Sequence, residues 1–370
     1  MSDKLKTARE QINAIDRVMA ELFAQRMEAS KDVAEYKTEH GMPIYDPVRE
    51  EEVIRRNSEF VENDELRGYY TNFLRNTMSI SKSYQRKIIE GMKVAYSGIE
   101  GAFAHIATGR LFPDAQKIAY GDFKSAYDSV VNGECDVCVL PLENSSAGEV
   151  GQVTDLLFSG PLYINGTSEL MVTHDLLACK GAKLDDIKQV ISHPQALCQC
   201  ASYIKKMGFK EVTYENTALA AKYVSETRDK SVAAIASKDS AELYGLDVLA
   251  EGINESQTNT TRFAILSRSE NKNNASLHGA HFALMFTVKN EAGSLARALN
   301  IIGAHGFNMR TLRSRPMKEL MWQYYFYVEA EGNIHSADGR SMMEALKVCC
   351  DMLKHVGSFV KQEQVKLEDK

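Results

Sequence analysis

The stretch Val137-Cys138-Val139-Leu140-Pro141-Leu142-Glu143-Asn144-Ser145 decides the fold at the centre of this chain. Its first four residues are apolar and predict a short strand, and the polar residues after them mark the loop at the strand's end. A similar apolar run at 233–236 follows a helical pattern at 218–224. Such alternation predicts an α/β layer fold over residues 92–270, with functional side chains in the loops that follow strands.

The regions on either side have different patterns. Residues 1–90 predict an all-helical domain, in which Asp46-Pro47 supplies an N-cap and the first helical residue after a turn at 40–43. A polar stretch at 267–274 predicts a linker. The region 280–365 predicts a ferredoxin-like domain with the order β-α-β-β-α-β. Its predicted elements are strand 283–288, helix 294–305, strands near 310–314 and 324–330, helix 336–353 and a last strand near 359–362.

Composition limits the class of protein. The chain has 370 residues, of which 44% are hydrophobic and 25% are charged, with a net charge of −6 and no long basic block. These values predict a globular protein that does not bind nucleic acid. Charges near the N-terminus and the lack of a long apolar run argue against a signal peptide and a membrane span, so we predict a cytoplasmic protein. No metal or cofactor site is predicted, and the CxxC at 135–138 is assigned to the core because no second pair accompanies it.

The first helix carries a heptad pattern of apolar residues that includes one arginine, Arg26. A guanidinium buried there needs a protein carboxylate or an anionic ligand. Lys37 lies about 16 Å further along the helix axis, within reach of a shared small ligand, whereas Arg9 lies about 26 Å back. Arg9 can therefore join the same site only from a second copy of the helix, packed antiparallel. The heptad positions are Leu5, Ala8, Ile12, Ile15, Met19, Leu22, Arg26, Ala29, Val33 and Tyr36.

Polar residues over three predicted helices resemble the all-helical chorismate mutase family. They are Arg9, Arg26, Lys37, Asp46, Arg49, Glu50, Ser81 and Gln85. The resemblance implies an intertwined dimer and an intramolecular rearrangement of chorismate to prephenate, which needs neither a nucleophile nor proton transfer. Catalysis then depends on holding the reactive conformer and on groups that face the developing negative charge. By the same resemblance, Arg9 and Arg26 bind the two carboxylates and Lys37 and Gln85 flank the ether oxygen. Asp46 and Glu50 hold the hydroxyl region, supported by Arg49 and Ser81.

Three motifs in the central region resemble prephenate dehydratase. They are the segments 143–145 (ENS), 192–195 (SHPQ, followed by Gln199-Cys200) and 259–263 (NTTRF). The family resemblance implies two lobes like those of periplasmic binding proteins and the conversion of prephenate to phenylpyruvate. Thr261 then assists the departing hydroxyl as proton donor or hydrogen-bonding partner, Arg262 anchors a carboxylate, and Glu143, Asn144 and Gln199 position the ring. Ser145, His193 and Phe263 complete the implied substrate contacts, whereas Ala104 replaces a family hydroxyl and is left out.

The C-terminal region resembles the ACT domain, which binds phenylalanine in this enzyme family. The resemblance rests on Gly293-Ser294-Leu295, which precede a predicted helix, and on the stretch 312–316. The resemblance implies effector contacts from Gly293, Ser294, Leu295, Ser314 and Arg315. Arg313 stands where the family has glutamate, so we expect it to repel the effector's ammonium group unless an acid such as Glu291 or Glu319 pairs with it, and we expect Arg313→Glu to bind phenylalanine more tightly.

The combined resemblance predicts a bifunctional chorismate mutase and prephenate dehydratase. Its expected ligands are chorismate, prephenate and the effector phenylalanine, and its expected assembly is a homodimer or a dimer of dimers. Arogenate dehydratase and a non-catalytic sensor of aromatic metabolites are the alternatives. Prephenate dehydrogenase is excluded because no Gly-x-Gly-x-x-Gly follows a predicted strand.

Overall fold

The computed structural model describes residues 2–256, 258–317 and 323–362. The chain divides into two compact units, Met1–Lys93 and Val94–Lys370. Within the described residues, no helix has both the length and the apolar character that crossing a membrane requires.

The first unit is helical, as predicted. Asp46 caps the second helix by accepting a hydrogen bond from Arg49 N at 3.0 Å, and Pro47 occupies the first helical position. Asn63 caps the third helix in the same way. The helices are α1 (Ser2–Glu39), α2 (Pro47–Ser58) and α3 (Asp64–Glu90).

The second unit begins with the predicted alternation of strands and helices. Short 3₁₀ turns occur at Leu184–Asp186 and Lys272–Ser276. The elements are β1 (Lys93–Ser97), α4 (Phe103–Leu111), β2 (Gln116–Tyr120), α5 (Phe123–Val131), β3 (Val137–Asn144), β4 (Gly148–Glu149), α6 (Gly151–Ser159), β5 (Tyr163–Met171), β6 (Asp175–Ala178), β7 (Gln189–Ser192), α7 (Pro194–Gln199), α8 (Ala201–Met207), β8 (Lys210–Thr213), α9 (Thr217–Thr227), β9 (Val232–Ala236), α10 (Lys238–Tyr244), β10 (Asp247–Ala250) and β11 (Thr260–Ser267).

These elements form two lobes with separate cores. In the first lobe the strands run in the order β2-β1-β3-β11-β5, and in the second the order is β8-β7-β9-β6-β10. Each sheet packs against its own apolar cluster. Cys135 and Cys138 lie in the apolar core of the first lobe, as the sequence predicted. The chain crosses between the lobes twice, after β5 and before β11, and Val172 N donates to Asn259 O at 2.7 Å where the crossovers meet. Side chains of both lobes can therefore meet there.

The C-terminal elements follow the predicted β-α-β-β-α-β order. The strand order β13-β14-β12-β15 is antiparallel throughout and is the ferredoxin-like topology. The last helix ends at Cys349, before the predicted 353, because the final strand already begins at Met352 and pairs with Thr287. The elements are β12 (Ala280–Thr287), α11 (Ser294–Ala304), β13 (Met309–Pro316), β14 (Tyr324–Glu331), α12 (Ala337–Cys349) and β15 (Met352–Gln362).

The predicted linker at 267–274 does not separate this region from the first lobe. Asn165 in β5 accepts a hydrogen bond from Asn271 N, and the side chain of Asn274 donates to Asn165 O at 2.8 Å. Strand β15 also pairs with β5, so the C-terminal strands extend the sheet of the first lobe. The two regions therefore share one continuous sheet.

Close approach at that junction requires glycine at position 357. Gly357 adopts φ +143°, and a Cβ built there would overlap the backbone of Ile164 in β5. Gly279 also has a positive φ, +73°, but a Cβ there would meet nothing within 4 Å. Gly357 is therefore constrained by its positive φ and by its contact with Ile164, whereas Gly279 is constrained by its φ alone.

We expect Gly357→Ala to destabilise the second unit more than Gly279→Ala, by about 1–3 kcal/mol, which is typical of overpacking. Both variants place a side chain at a positive φ, and only Gly357→Ala adds an overlap with the backbone of β5, so the larger loss is expected there. Urea unfolding of the two variants and the unaltered chain gives the comparison. Equal losses of stability would contradict this account of the junction.

Candidate functional site

Arg26, Ser81 and Gln85 come together in the helical unit. Arg26 Nη1 donates to Ser81 Oγ, joining α1 to α3. Ser81 and Gln85 are buried one turn apart on α3. Gln85 Oε1 is buried and accepts no hydrogen bond from the described residues. An unsatisfied buried amide oxygen is costly, so this position is suited to receiving a polar ligand group.

Four other charged residues predicted for this site, Lys37, Asp46, Arg49 and Glu50, have partners within the unit. Lys37 Nζ donates to Ile44 O at 2.6 Å. Glu50 Oε2 accepts from Lys82 Nζ at 2.6 Å, and Arg49 pairs with Glu52 at 2.7 Å. Asp46 serves as the α2 cap described above. Lys82, which sequence analysis did not identify, also lies 4.7 Å above the Tyr45 ring.

The apolar heptad face of α1 is largely uncovered in this chain. Arg26 and Arg9 are exposed on the same helix, so Arg26 is not buried as its heptad position had suggested. An extended apolar face of this kind marks an interaction surface. Its exposed members include Leu5, Ile12, Ile15, Met19 and Leu22.

In the second unit, Asn144 and Thr261 face each other across neighbouring strands. They are register partners in β3 and β11. Asn144 Oδ1 accepts from Ser146 N at 3.0 Å and Ala147 N at 2.9 Å, which fixes the amide so that Nδ2 points to Thr261 Oγ1, 2.9 Å away. Since the amide nitrogen can only donate, the Thr261 oxygen accepts and keeps its own proton.

Gln199 reaches this pair from the other lobe through Asn259. Asn144 Nδ2 donates to Asn259 Oδ1 at 2.8 Å, and Asn259 Nδ2 donates to Gln199 Oε1 at 3.0 Å. Gln199 Oε1 also lies 3.0 Å from His174 Nε2. Because a carbonyl oxygen only accepts, His174 is protonated at Nε2. Burial lowers the pKa of His174, which keeps the ring neutral.

A cleft of about 360 Å³ opens beside this network. Gln199 and Asn259 line it together with Ser146, Asn254 and Ser256. Asn259 had been quoted as part of a motif but given no role, and His174 carried no sequence signal because a single histidine in an apolar stretch is ordinary. Asn254, which accepts from His174 N at 3.0 Å, was also missed, because its partner lies 80 residues away in the sequence.

Two further predicted residues, His193 and Ser145, make hydrogen bonds that stabilise the local fold. His193 caps α7 by accepting from Gln195 N at 3.2 Å, at the opposite end of that helix from Gln199. It lines a different cleft, with Thr213 and Tyr214. Ser145 Oγ donates to Thr258 O and accepts from Thr260 N, so its hydroxyl links the loop after β3 to the start of β11.

Arg262, the neighbour of Thr261, forms a buried ion pair with Glu329 in β14. Its two terminal nitrogens donate to the two carboxylate oxygens, at 2.8 Å for Nη1 to Oε2. Tyr327 donates to the same carboxylate at 2.7 Å. Burial alone raises the pKa of Glu329, but the hydrogen bonds and charge of Arg262 outweigh it and the pKa is lowered. Phe263, the next residue, is buried.

Glu143 extends this pair into a network of charges. Its carboxylate lies 2.9 Å from Arg262 Nε and also pairs with Arg313 Nη2 in β13. The structure therefore gives Arg313 an acidic partner, Glu143, which sequence analysis did not name for this role. Of the two acids that sequence analysis named, Glu319 lies outside the described residues. In this conformation the guanidinium of Arg262 is buried among its two carboxylate partners, whereas the Glu143 side chain remains 29% exposed.

The residues predicted to bind an effector lie on α11 and β13. Gly293, with φ +83°, precedes α11, and its helix start lacks a side-chain cap, which leaves N–H groups of the first turn available. Ser294 is buried in that turn. Arg315 is paired with Asp155 in α6 at 3.1 Å, and Tyr325 donates to the same carboxylate at 2.7 Å. Leu295 packs against the C-terminal core, and Ser314 lies in β13 opposite Phe326.

Family profiles match both parts of the chain. Residues 8–86 match the profile "Chorismate mutase type II", and residues 94–271 match "Prephenate dehydratase". A bifunctional chorismate mutase/prephenate dehydratase from Neisseria gonorrhoeae is 31% identical over 94% of this chain and 95% of its own length. Arogenate dehydratase 2 from Petunia hybrida is 32% identical over 72% of this chain and 71% of its own length.

A solved structure shares the fold of the second unit. The crystal structure of prephenate dehydratase in complex with L-Phe from Arthrobacter aurescens has a TM-score of 0.67, with 24% sequence identity over 73% of this chain and 90% of that chain. At this level of identity the likeness concerns the fold alone.

The ion pair between Arg262 and Glu329 leads to a stability prediction. We expect Glu329→Gln to destabilise the second unit by about 3 kcal/mol, because it removes one partner of a buried pair. Glu331→Gln is a matched control on the same strand, since Glu331 pairs with Arg310 at the surface and should matter much less. Thermal unfolding of both variants tests the expectation. A Glu329→Gln variant as stable as the control would refute it.

Proposed function

Because this chain belongs to the family of bifunctional chorismate mutase/prephenate dehydratases, we propose that it has two separate catalytic sites. The helical unit isomerises chorismate at the Arg26–Ser81–Gln85 cluster. In the cleft of the second unit, Thr261 assists the dehydration of prephenate. The enzyme is an isomerase and a lyase of phenylalanine biosynthesis. The observation that carries the assignment of the second site is the hydrogen bond from Asn144 Nδ2 to Thr261 Oγ1.

The chemistry of the first site needs charge placement and a fixed substrate conformation. In the rearrangement one C–O bond breaks while a C–C bond forms, and negative charge develops on the ether oxygen. Arg26 supplies a cation for a carboxylate, and Gln85 is buried where an amide can hydrogen-bond the reacting region. Lys37 completes this set once its ammonium exchanges Ile44 O for the ether oxygen.

A second copy of the chain completes the first site. The uncovered apolar face of α1 supports this, because packing two such faces together removes them from water. Arg9 is exposed on α1 about 26 Å from Arg26 along the helix axis. An antiparallel partner helix carries its own Arg9 toward this Arg26, which gives the two substrate carboxylates one cation each. The assembly proposed is thus a homodimer or a dimer of dimers.

At the second site, Thr261 assists the leaving hydroxyl. The bond between the ring and the carboxylate carbon breaks, its electron pair moves into the ring, and the C–O bond to the ring hydroxyl breaks. The carboxylate leaves as CO2, and the hydroxyl leaves as hydroxide, stabilised by the hydrogen bond from Thr261, and takes a proton from solvent to become water. Asn144 Nδ2 donates to Thr261 Oγ1, so the Thr261 oxygen is the acceptor in that hydrogen bond. The Thr261 proton is then directed to another acceptor, and we assign that acceptor as the leaving oxygen.

Gln199 and Asn259 provide the positioning contacts in this cleft. With Oε1 of Gln199 accepting from Asn259 and facing His174, its amide nitrogen is left to donate to the substrate. Arogenate differs from prephenate only in the side chain that carries an amine in place of a keto group. Prephenate is the proposed substrate because the same chain carries the domain that forms it.

The C-terminal region is proposed to be an ACT domain that mediates inhibition by phenylalanine. Its ferredoxin-like topology and the N–H groups after Gly293 support carboxylate binding there. The pairing of Arg313 with Glu143 neutralises the charge that was expected to repel an ammonium group. The reason for expecting tighter binding by Arg313→Glu is therefore removed, because that variant would place two carboxylates together.

The two activities should separate by mutation. We expect Arg26→Ala and Lys37→Ala each to lower chorismate turnover on the order of 100-fold, while turnover of added prephenate stays unchanged. Lys31→Ala is the control, since Lys31 lies on the same helix in a surface pair with Glu28. Both reactions are followed by absorbance. Loss of both activities in a folded Arg26→Ala variant would refute the assignment to separate sites.

The Thr261 hydroxyl should act mainly on turnover. We expect Thr261→Val to lower kcat for prephenate on the order of 100-fold with a much smaller change in KM, because the leaving oxygen gains charge only in the transition state. Thr261→Ser keeps the hydroxyl and should keep more activity. Equal losses in the Ser and Val variants would show that this position is needed for packing and would overturn the proposed role.

A further inference from the structure

Two histidines and a glutamate converge in the second unit, outside the sites described above. Glu270 follows β11, His335 precedes α12 and His355 lies in β15. His335 Nε2 is 2.7 Å from Glu270 Oε1, and His355 Nδ1 is 3.7 Å from the same oxygen. We propose that these three residues bind one divalent transition-metal ion, with Zn²⁺ as the ion best suited to them.

The distances fit an ion of this class. All three donor atoms lie within 4.8 Å of one another. Zn²⁺ binds imidazole nitrogen and carboxylate oxygen at about 2.0–2.2 Å, which places tetrahedral ligand atoms about 3.3 Å apart. The separations of 2.7 and 3.7 Å lie on either side of that value, so small side-chain rotations can seat the ion. Two imidazoles disfavour Mg²⁺ and Ca²⁺, which prefer oxygen ligands.

A buried hydroxyl holds two of the ligands in place. Ser358 Oγ donates to Glu270 Oε1 at 3.0 Å and lies 3.4 Å from His355 Nε2. A contact at Nε2 leaves Nδ1 of His355 facing the carboxylate, which is how outer hydrogen bonds orient metal-bound histidines. Ser358 is fully buried, so this serine is not accessible as a nucleophile. Its position instead suits the support of a metal site.

The cluster is accessible from solvent on one side. Glu270 and His355 are largely buried, whereas the His335 side chain is 39% exposed and gives the ion access from solvent. The three ligands come from the segment between β11 and β12, the loop before α12 and the last strand. A bound ion would therefore join the connection between the two regions to the C-terminal domain.

Metal titration of the full chain tests this proposal. After removal of metals with a chelator, we expect the protein to bind one equivalent of Zn²⁺ by calorimetry and to gain thermal stability on binding. His335→Asn and His355→Asn should each weaken binding at least 100-fold, and Ser358→Ala about 10- to 100-fold. Glu270→Gln keeps the side-chain shape and should also weaken binding, which guards against a histidine variant that fails to fold.

Two control variants separate this cluster from other metal-binding groups. His278→Asn removes an exposed histidine elsewhere in the same unit. The double variant Cys349→Ser/Cys350→Ser removes thiols whose sulfur atoms lie 3.9 Å apart. Both should bind Zn²⁺ as the unaltered chain does. Absence of binding, equal binding by the His335→Asn and His355→Asn variants, or binding lost only with the thiols would each overturn the proposal.

Discussion

The buried ion pair between Arg262 and Glu329 is the constraint on which the second unit depends. A guanidinium and a carboxylate in a site with so little solvent are stable only when each satisfies the other. Arg262 belongs to the strand that carries Thr261, and Glu329 belongs to the C-terminal strands. The pair therefore fixes the strand that carries Thr261 and the C-terminal strands against each other, and Glu143 adds Arg313 to the same network.

This arrangement gives a physical route between the two regions. Thr261 and Asn144 are register partners, and so are their neighbours Arg262 and Glu143. The Thr261 hydroxyl is thus one residue away from a guanidinium held by the C-terminal strands. A displacement of β13 or β14 that disturbs Glu329 or Arg313 reaches β11 through these contacts. The continuous sheet formed by β15 and β5 provides a second connection, made by the backbone.

The helical unit depends on a different constraint. It carries a cluster of polar groups between α1 and α3, but much of the apolar face of α1 is exposed. The heptad pattern showed that this face needs a partner helix, and the structure shows that neither α2 nor α3 covers it fully. The two proposals for this unit are linked for that reason, since the helix face proposed to pack against a second copy also carries Arg26.

The sequence by itself determined the element order, the helical and α/β regions, the N-cap at Asp46 and the motifs that contain Asn144, Gln199 and Thr261. Periodicity, turn residues and caps are local properties, so they can be predicted from neighbouring residues. Only the tertiary structure decided the partners of charged groups. Glu329 is 67 residues from Arg262, and His174, Asn259 and Arg313 likewise find their contacts across the fold. Such pairings depend on which strands become neighbours, and no local pattern encodes that.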